Sequence, residues 1–162
     1  MSHPIIIGID PGKSGYIAVI KDRCAEDLDI FPIPYKDNCL DVKALYEMFS
    51  SHQLFNTHFF IEDVVSFGAK SNTGQKTRFS DHGKIIAVLE LLGAKYKVVH
   101  PNKWQAEILG KVTRNESKVA SIKHVKARFP YVNLQPGRCT TDQDGIADAC
   151  CIAEYGYYEV EA

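Results

Sequence analysis

The sequence offers little that would take it out of an aqueous interior. Its longest apolar runs, such as Ile5-Ile6-Ile7, fall far short of a bilayer span, and Met1-Ser2-His3-Pro4 sets no basic stretch ahead of an apolar segment. Neither a membrane association nor a secretory signal is expected. The five cysteines (Cys24, Cys39, Cys139, Cys150, Cys151) form an odd set with no Cys-x-x-Cys and no partnering histidine at metal-ligand spacing. That excludes a disulfide framework or a zinc finger and predicts reduced thiols in a cytoplasmic setting. There is no internal repeat and no low-complexity tract, so solenoids and propellers are excluded. Gly12-Lys13-Ser14 has the end of a phosphate loop but not its beginning, because the required first glycine is Ile7.

The remaining composition is that of an ordinary globular domain. With 162 residues, 45% hydrophobic and 24% charged, the chain can bury one core and has no room for two ordinary domains, so a single domain over 1–162 is expected. This also weighs against actin-like and sugar-kinase ATPases. They too open on a strand, an Asp and a Gly-rich turn, but clasp nucleotide with a second similar domain.

Net charge is −1, yet it is unevenly placed. Residues 70–138 carry 14 Lys or Arg against Asp81, Glu90, Glu107 and Glu116, a balance of +10, and the rest of the chain carries −11. A basic middle can hold phosphates, while clustered acids repel them unless a cation intervenes.

Apolar periodicity predicts strands at 5–10, 16–20, 28–33, 57–61 and 95–99, the first three as an antiparallel meander. It predicts helices after Asp41 to about Ser50, through Ile85–Leu92 and closed by Gly93, over Trp104–Leu109, from a cap at Asn115 to Phe129, and from near Asp142 through Ala153. Gly68–Lys76 reads as a loop. The order is α/β.

Four acids stand where core residues are expected. Asp10 and Glu62 end apolar strands, and Asp144 and Asp148 share a helix face with Ile152. Each alone has a plain reading, as a turn acid, a strand-end surface residue or a helix cap. Asp148, inside Ile146-Ala-Asp-Ala-Cys-Cys-Ile-Ala, is the hardest to read that way. If they converge, each pair about 4 Å apart repels by roughly 4 kcal/mol at an effective dielectric near 20, a cost that a divalent cation removes. Mg²⁺ takes oxygen ligands of this kind, and a pair of such ions can cleave a phosphodiester.

Gly8-Ile9-Asp10-Pro11-Gly12, Ile61-Glu62 and Asp144-Gly-Ile-Ala-Asp148-Ala149 together resemble the three acidic motifs of the RuvC family of Holliday junction resolvases. Gly74-Gln-Lys-Thr-Arg-Phe-Ser-Asp-His-Gly83 and Val98-Val-His-Pro-Asn-Lys-Trp104 resemble its phage-encoded members. The resemblance spans nearly the whole chain. It implies an RNase H-like (retroviral integrase superfamily) fold with a five-stranded mixed sheet flanked by helices. It also implies a homodimer that nicks four-way DNA junctions with Mg²⁺, or Mn²⁺ as substitute, at a two-metal site. Carried over, Asp10, Glu62 and Asp148 would be catalytic metal ligands. The family usually places Asp or His three residues before the last acid, where this chain has Gly145. Asp144 is therefore the expected fourth ligand, with Asp142 the alternative.

Candidate DNA contacts are Phe67, which could stack on unpaired bases, and Lys76, Arg78 and Lys118 for backbone phosphates. Trp104 reads as core or dimer packing, and His82 and His124 as weaker DNA contacts. Two other functions fit the residues: an RNase H-like nuclease acting on flaps, forks or other branched DNA, and a junction-binding protein without catalysis.

Overall fold

Burial along the first strand explains its central place. The computed structural model describes residues 3–21, 28–52, 54–65, 73–113 and 115–161. In β1 (Ile5–Ile9), Ile6 packs into one apolar cluster, while Ile7 and Ile9 pack into another on the opposite face. A strand apolar on both sides must be covered on both. It pairs antiparallel with β2 (Tyr16–Ile20), which pairs antiparallel with β3 (Leu28–Pro32). On its other edge it runs parallel to β6 (Thr57–Glu62), which runs parallel to β7 (Lys95–Val99). The order β3-β2-β1-β6-β7 is the mixed five-stranded sheet that the family resemblance implies.

On one face lie α1 (Val42–Ser50) and α2 (Thr73–Leu91), through Leu45, Phe49, Ile85 and Leu89. On the other lies α5 (Asp144–Glu161), packed across β1, β2 and β6 and itself covered by α3 (Pro101–Ile108) and α4 (Ser117–Arg128). Contact between α5 and the sheet is direct. A Cβ on Gly8 would stand 2.3 Å from the Ala153 amide nitrogen, and one on Gly156 would stand 2.3 Å from Phe60 Cδ2.

The structure departs from the sequence reading at several edges. A two-stranded hairpin, β4 (Tyr35–Lys36) and β5 (Cys39–Leu40), was not expected. Its turn residues Asp37 and Asn38 both have positive φ, as the tight turn that suits a hairpin's twist requires. The Tyr35 hydroxyl donates to buried Asp81 at 2.6 Å, fixing the hairpin to α2. Helix α2 starts at Thr73, so Gly74, Gln75 and Lys76 are helical rather than looped. The last helix starts at Asp144, not Asp142. Asn115 does not cap α4; instead the Glu116 carboxylate reaches back to the Thr113 amide and hydroxyl. Among the described residues no helix is long and apolar enough to cross a membrane.

Candidate functional site

Strand periodicity brings the first two acids together. Side chains two apart share a sheet face, so Asp10 follows Ile6 and Gly8, and Glu62 follows Phe60. Gly8 is opposite Phe60 and Ile9 opposite Ile61, so one further step along both parallel strands sets Asp10 beside Glu62. That face is the one α5 covers, and α5 begins there with Asp144 in its first turn and Asp148 one turn on.

The electrostatics report the crowding. Asp10 is pushed well above the usual carboxylate range, first by burial and then by the charges of Glu62 and Asp148; Arg78 opposes the rise and Asp144 adds to it. Glu62 is raised by burial, against a hydrogen bond from Trp104 and the charge of Arg78. Asp148 is pushed up to about 7, again by burial first, with Glu62 and Asp144 adding to a rise that a Ser121 hydrogen bond and the Lys118 charge oppose. The Ser121 hydroxyl also lies 3.1 Å from the Lys118 carbonyl, and its single proton can serve only one of the two acceptors.

Among the described residues, Arg78 and Lys118 stand near the acids, and Trp104 joins Ser121 as a neutral donor. Arg78, on α2, passes Gly12, where a Cβ would lie 3.9 Å from its Nε. Lys118, at the start of α4, forms an ion pair with Asp144. The Trp104 indole donates from Nε1 to Glu62 Oε1 at 2.9 Å, both groups being buried.

Asp10, Glu62, Asp144 and Asp148 are therefore neighbours, with Arg78 and Lys118 beside them. Asp142 lies apart, held by Lys126 at 2.6 Å and Gln135 at 2.9 Å, which keep its carboxyl below the usual range. Lys76 lines an open cleft of about 370 Å³ with Asn38, Thr77, Ser80, Asp81 and Lys84 and is not among the main charges acting on Asp10, Glu62 or Asp148. Phe67 lies outside the described residues. His124 binds the buried Glu154 carboxylate at 2.6 Å, with Arg128 at 3.2 Å, so it serves the contact between α4 and α5. Sequence reasoning passed over Trp104 and Ser121 as neighbours of the acids. The signal for Trp104 was available: a buried indole has one N–H that needs an acceptor, and β7 delivers it beside the end of β6.

Gly145 explains the departure in the third motif. A Cβ there would come within 2.5 Å of the Ser14 carbonyl oxygen and 3.2 Å of Asp10 Oδ2, so the position has no room for a side chain. The acid one residue earlier, Asp144, lies near enough to raise Asp10 and Asp148 while its side chain pairs with Lys118. Gly145→Asp, which writes in the common family pattern, should therefore lower the melting temperature by several degrees, as overpacking against backbone does. Calorimetry showing unchanged stability would refute this account.

All four side chains offer hard oxygen donors, the chemistry that suits Mg²⁺ or Mn²⁺. Among the described residues no three His, Cys, Asp or Glu side chains form a ready-made metal-binding group as placed, with Glu62 turned to Trp104 and Asp144 to Lys118. The chemistry of the donor set, four carboxylates only partly offset by Arg78 and Lys118, fits a divalent cation.

Solved structures share this architecture. Thermus thermophilus RuvC aligns over 97% of this chain and 96% of its own with a TM-score of 0.60 at 14% identity. The same organism's RuvC in complex with Holliday junction substrate aligns over 97% and 95% with a TM-score of 0.64 at 13% identity. The fold is thus RNase H-like, of the RuvC kind. The family described as Lactococcus phage M3 protein matches residues 33–158, and the chain belongs to that family. No curated protein matches it.

Proposed function

We propose that this protein is a metal-dependent endonuclease that resolves four-way DNA junctions, acting as a homodimer of single RNase H-like domains in the cytoplasm of a bacterial or phage-infected cell. The observation that carries the proposal is the convergence of Asp10, Glu62, Asp144 and Asp148 at one end of the sheet, where burial and mutual repulsion hold Asp10 and Asp148 well above ordinary carboxylates. Four such acids would repel a phosphate; with divalent cations bound, they would supply an activated water and a stabilised leaving oxygen. In this proposal the four carboxylates are the metal ligands. Arg78 and Lys118 draw the DNA backbone to the acids, Lys76 takes a phosphate further along α2, and Phe67 meets the unpaired bases at the crossover. Likeness of fold to a RuvC solved with junction substrate favours branched DNA over other phosphodiesters.

The test is cleavage of synthetic four-way junction, flap, fork and RNA–DNA hybrid substrates with Mg²⁺, Mn²⁺ or chelator. Paired symmetric nicks in the junction, lost in chelator, are expected. Equal or faster cutting of flaps would move the assignment to a general branched-DNA nuclease. Tight junction binding with no cutting in either metal would make the protein a binder.

A further inference from the structure

Glu62 and Asp144 are held in different ways. Asp144 meets a lysine, but Glu62 meets an uncharged donor, the buried Trp104 indole at 2.9 Å. Trp104 is fully buried, on α3, the helix that follows β7 with His100 as its N-cap and Pro101 in its first turn. Glu62 and Val99 are opposite each other at the ends of β6 and β7, and the Asp63 amide donates to the Val99 carbonyl at 2.9 Å. The β7–α3 corner is therefore locked to the end of β6, and the indole arrives at a fixed height above Glu62.

We infer that Trp104 is the positioning residue of the acid cluster: its N–H fixes one oxygen of Glu62 and leaves the other to the metal. This rests on the nuclease proposal above. Three physical points support it. An indole has a single donor and no acceptor, so it can occupy one carboxylate oxygen and never both. Its hydrogen bond favours the ionised form of Glu62 against the burial that disfavours it. It does so without a positive charge, so it does not compete with a cation for the same carboxylate as an Arg or Lys would. Partners of this kind, one shell behind the ligands, typically govern metal affinity or activity by roughly 10- to 100-fold. Core packing alone accounts for the ring but not for the aim of its one polar atom.

Trp104→Phe keeps most of the ring and removes the donor. The Mg²⁺ concentration for half-maximal junction cleavage should rise roughly 10-fold or more. Mn²⁺ binding, followed by the electron paramagnetic resonance of the free ion, should weaken in parallel. Junction affinity in chelator should stay at the wild-type value. Wild-type metal binding and cleavage in Trp104→Phe would overturn the inference while leaving the nuclease proposal intact. A wild-type protein that neither binds Mn²⁺ nor cuts would overturn the nuclease proposal itself.

A second measurement does not depend on how that variant folds. Trp104 is the chain's one tryptophan, so all tryptophan emission comes from this position. Mn²⁺, a paramagnetic quencher, should dim the wild-type emission with the half-point of cleavage, and Glu62→Gln should abolish saturable quenching. Emission indifferent to Mn²⁺ across the range where the wild type binds it would also overturn the inference.

Discussion

Asp148→Asn, melted in chelator at pH 8, should unfold several degrees above the wild type while its junction cleavage falls by roughly 10³-fold or more, the scale on which losing one member of a catalytic set acts. Stability and activity move in opposite directions because the same burial and repulsion serve both. In the folded chain Asp148 holds its proton up to about pH 7, whereas an unfolded chain releases it near 3.8. Between those values the native state binds more protons, so wild-type stability falls as pH rises from about 4 to about 7 and stays low above. A rise of that size corresponds to on the order of 4 kcal/mol, and Asn carries none of it. The melting difference should therefore vanish near pH 4 and be complete above pH 7. Saturating Mg²⁺ should raise the wild type more than the variant, because only the wild type keeps the full ligand set. A variant less stable than wild type at pH 8 in chelator would mean that Asp148 supports the fold rather than straining it. Asp10→Asn should behave in the same sense, since Asp10 is raised by the same causes.

Gly8→Ala should be the most damaging single-methyl change in the sheet. The added carbon would stand 2.3 Å from the Ala153 nitrogen and 2.5 Å from the Ala149 carbonyl oxygen. Both are helix backbone, which cannot swing aside, so α5 must lift from β1. A loss of about 3 kcal/mol or more is expected, at the upper end of overpacking costs. It would appear as a lower urea midpoint at unchanged slope. Because α5 carries Asp144 and Asp148, cleavage should fall with it even where the protein remains folded. Gly83→Ala is the control: nothing lies within 4 Å of its added carbon, and in the middle of α2 it should stabilise by about 0.5–1 kcal/mol. Equal stability of Gly8→Ala and wild type would contradict the direct contact between helix and sheet.

The sheet was legible because its strands are rich in β-branched and aromatic residues. Residues 5–10 and 57–61 read as strands from β-branched and aromatic content, and the structure places them at Ile5–Ile9 and Thr57–Glu62. Helix starts were less legible. Gly74 and the polar residues around it read as loop, yet they are helical, since propensity is weak beside tertiary packing. The β4–β5 hairpin escaped notice because two-residue strands show no periodicity; Asp37-Asn38 was its only mark. At the site, the spacing of acids along the chain pointed to the four carboxylates that the fold gathers. It left Asp144 and Asp142 open, because both stand near a helix start and only their neighbours in space separate them: Lys118 for one, Lys126 and Gln135 for the other. For Trp104 the sequence marked only that a buried indole needs an acceptor, not which group supplies it. Periodicity tells which residues are buried, not which polar atom a buried ring turns toward.

The ties at the two ends of the α4–α5 contact set a length. Lys118 meets Asp144, and Arg128 meets Glu154, so the contacts span ten residues on each helix, about 15 Å of axis. Sliding either helix by a single residue, about 1.5 Å, would shift both ends together. The pair works as a fixed gauge: the cation proposed to meet the DNA backbone stands at a set distance from the acids proposed to cut it. That distance is calibrated at the far end of the helices, by a buried Glu154 that no substrate needs to touch.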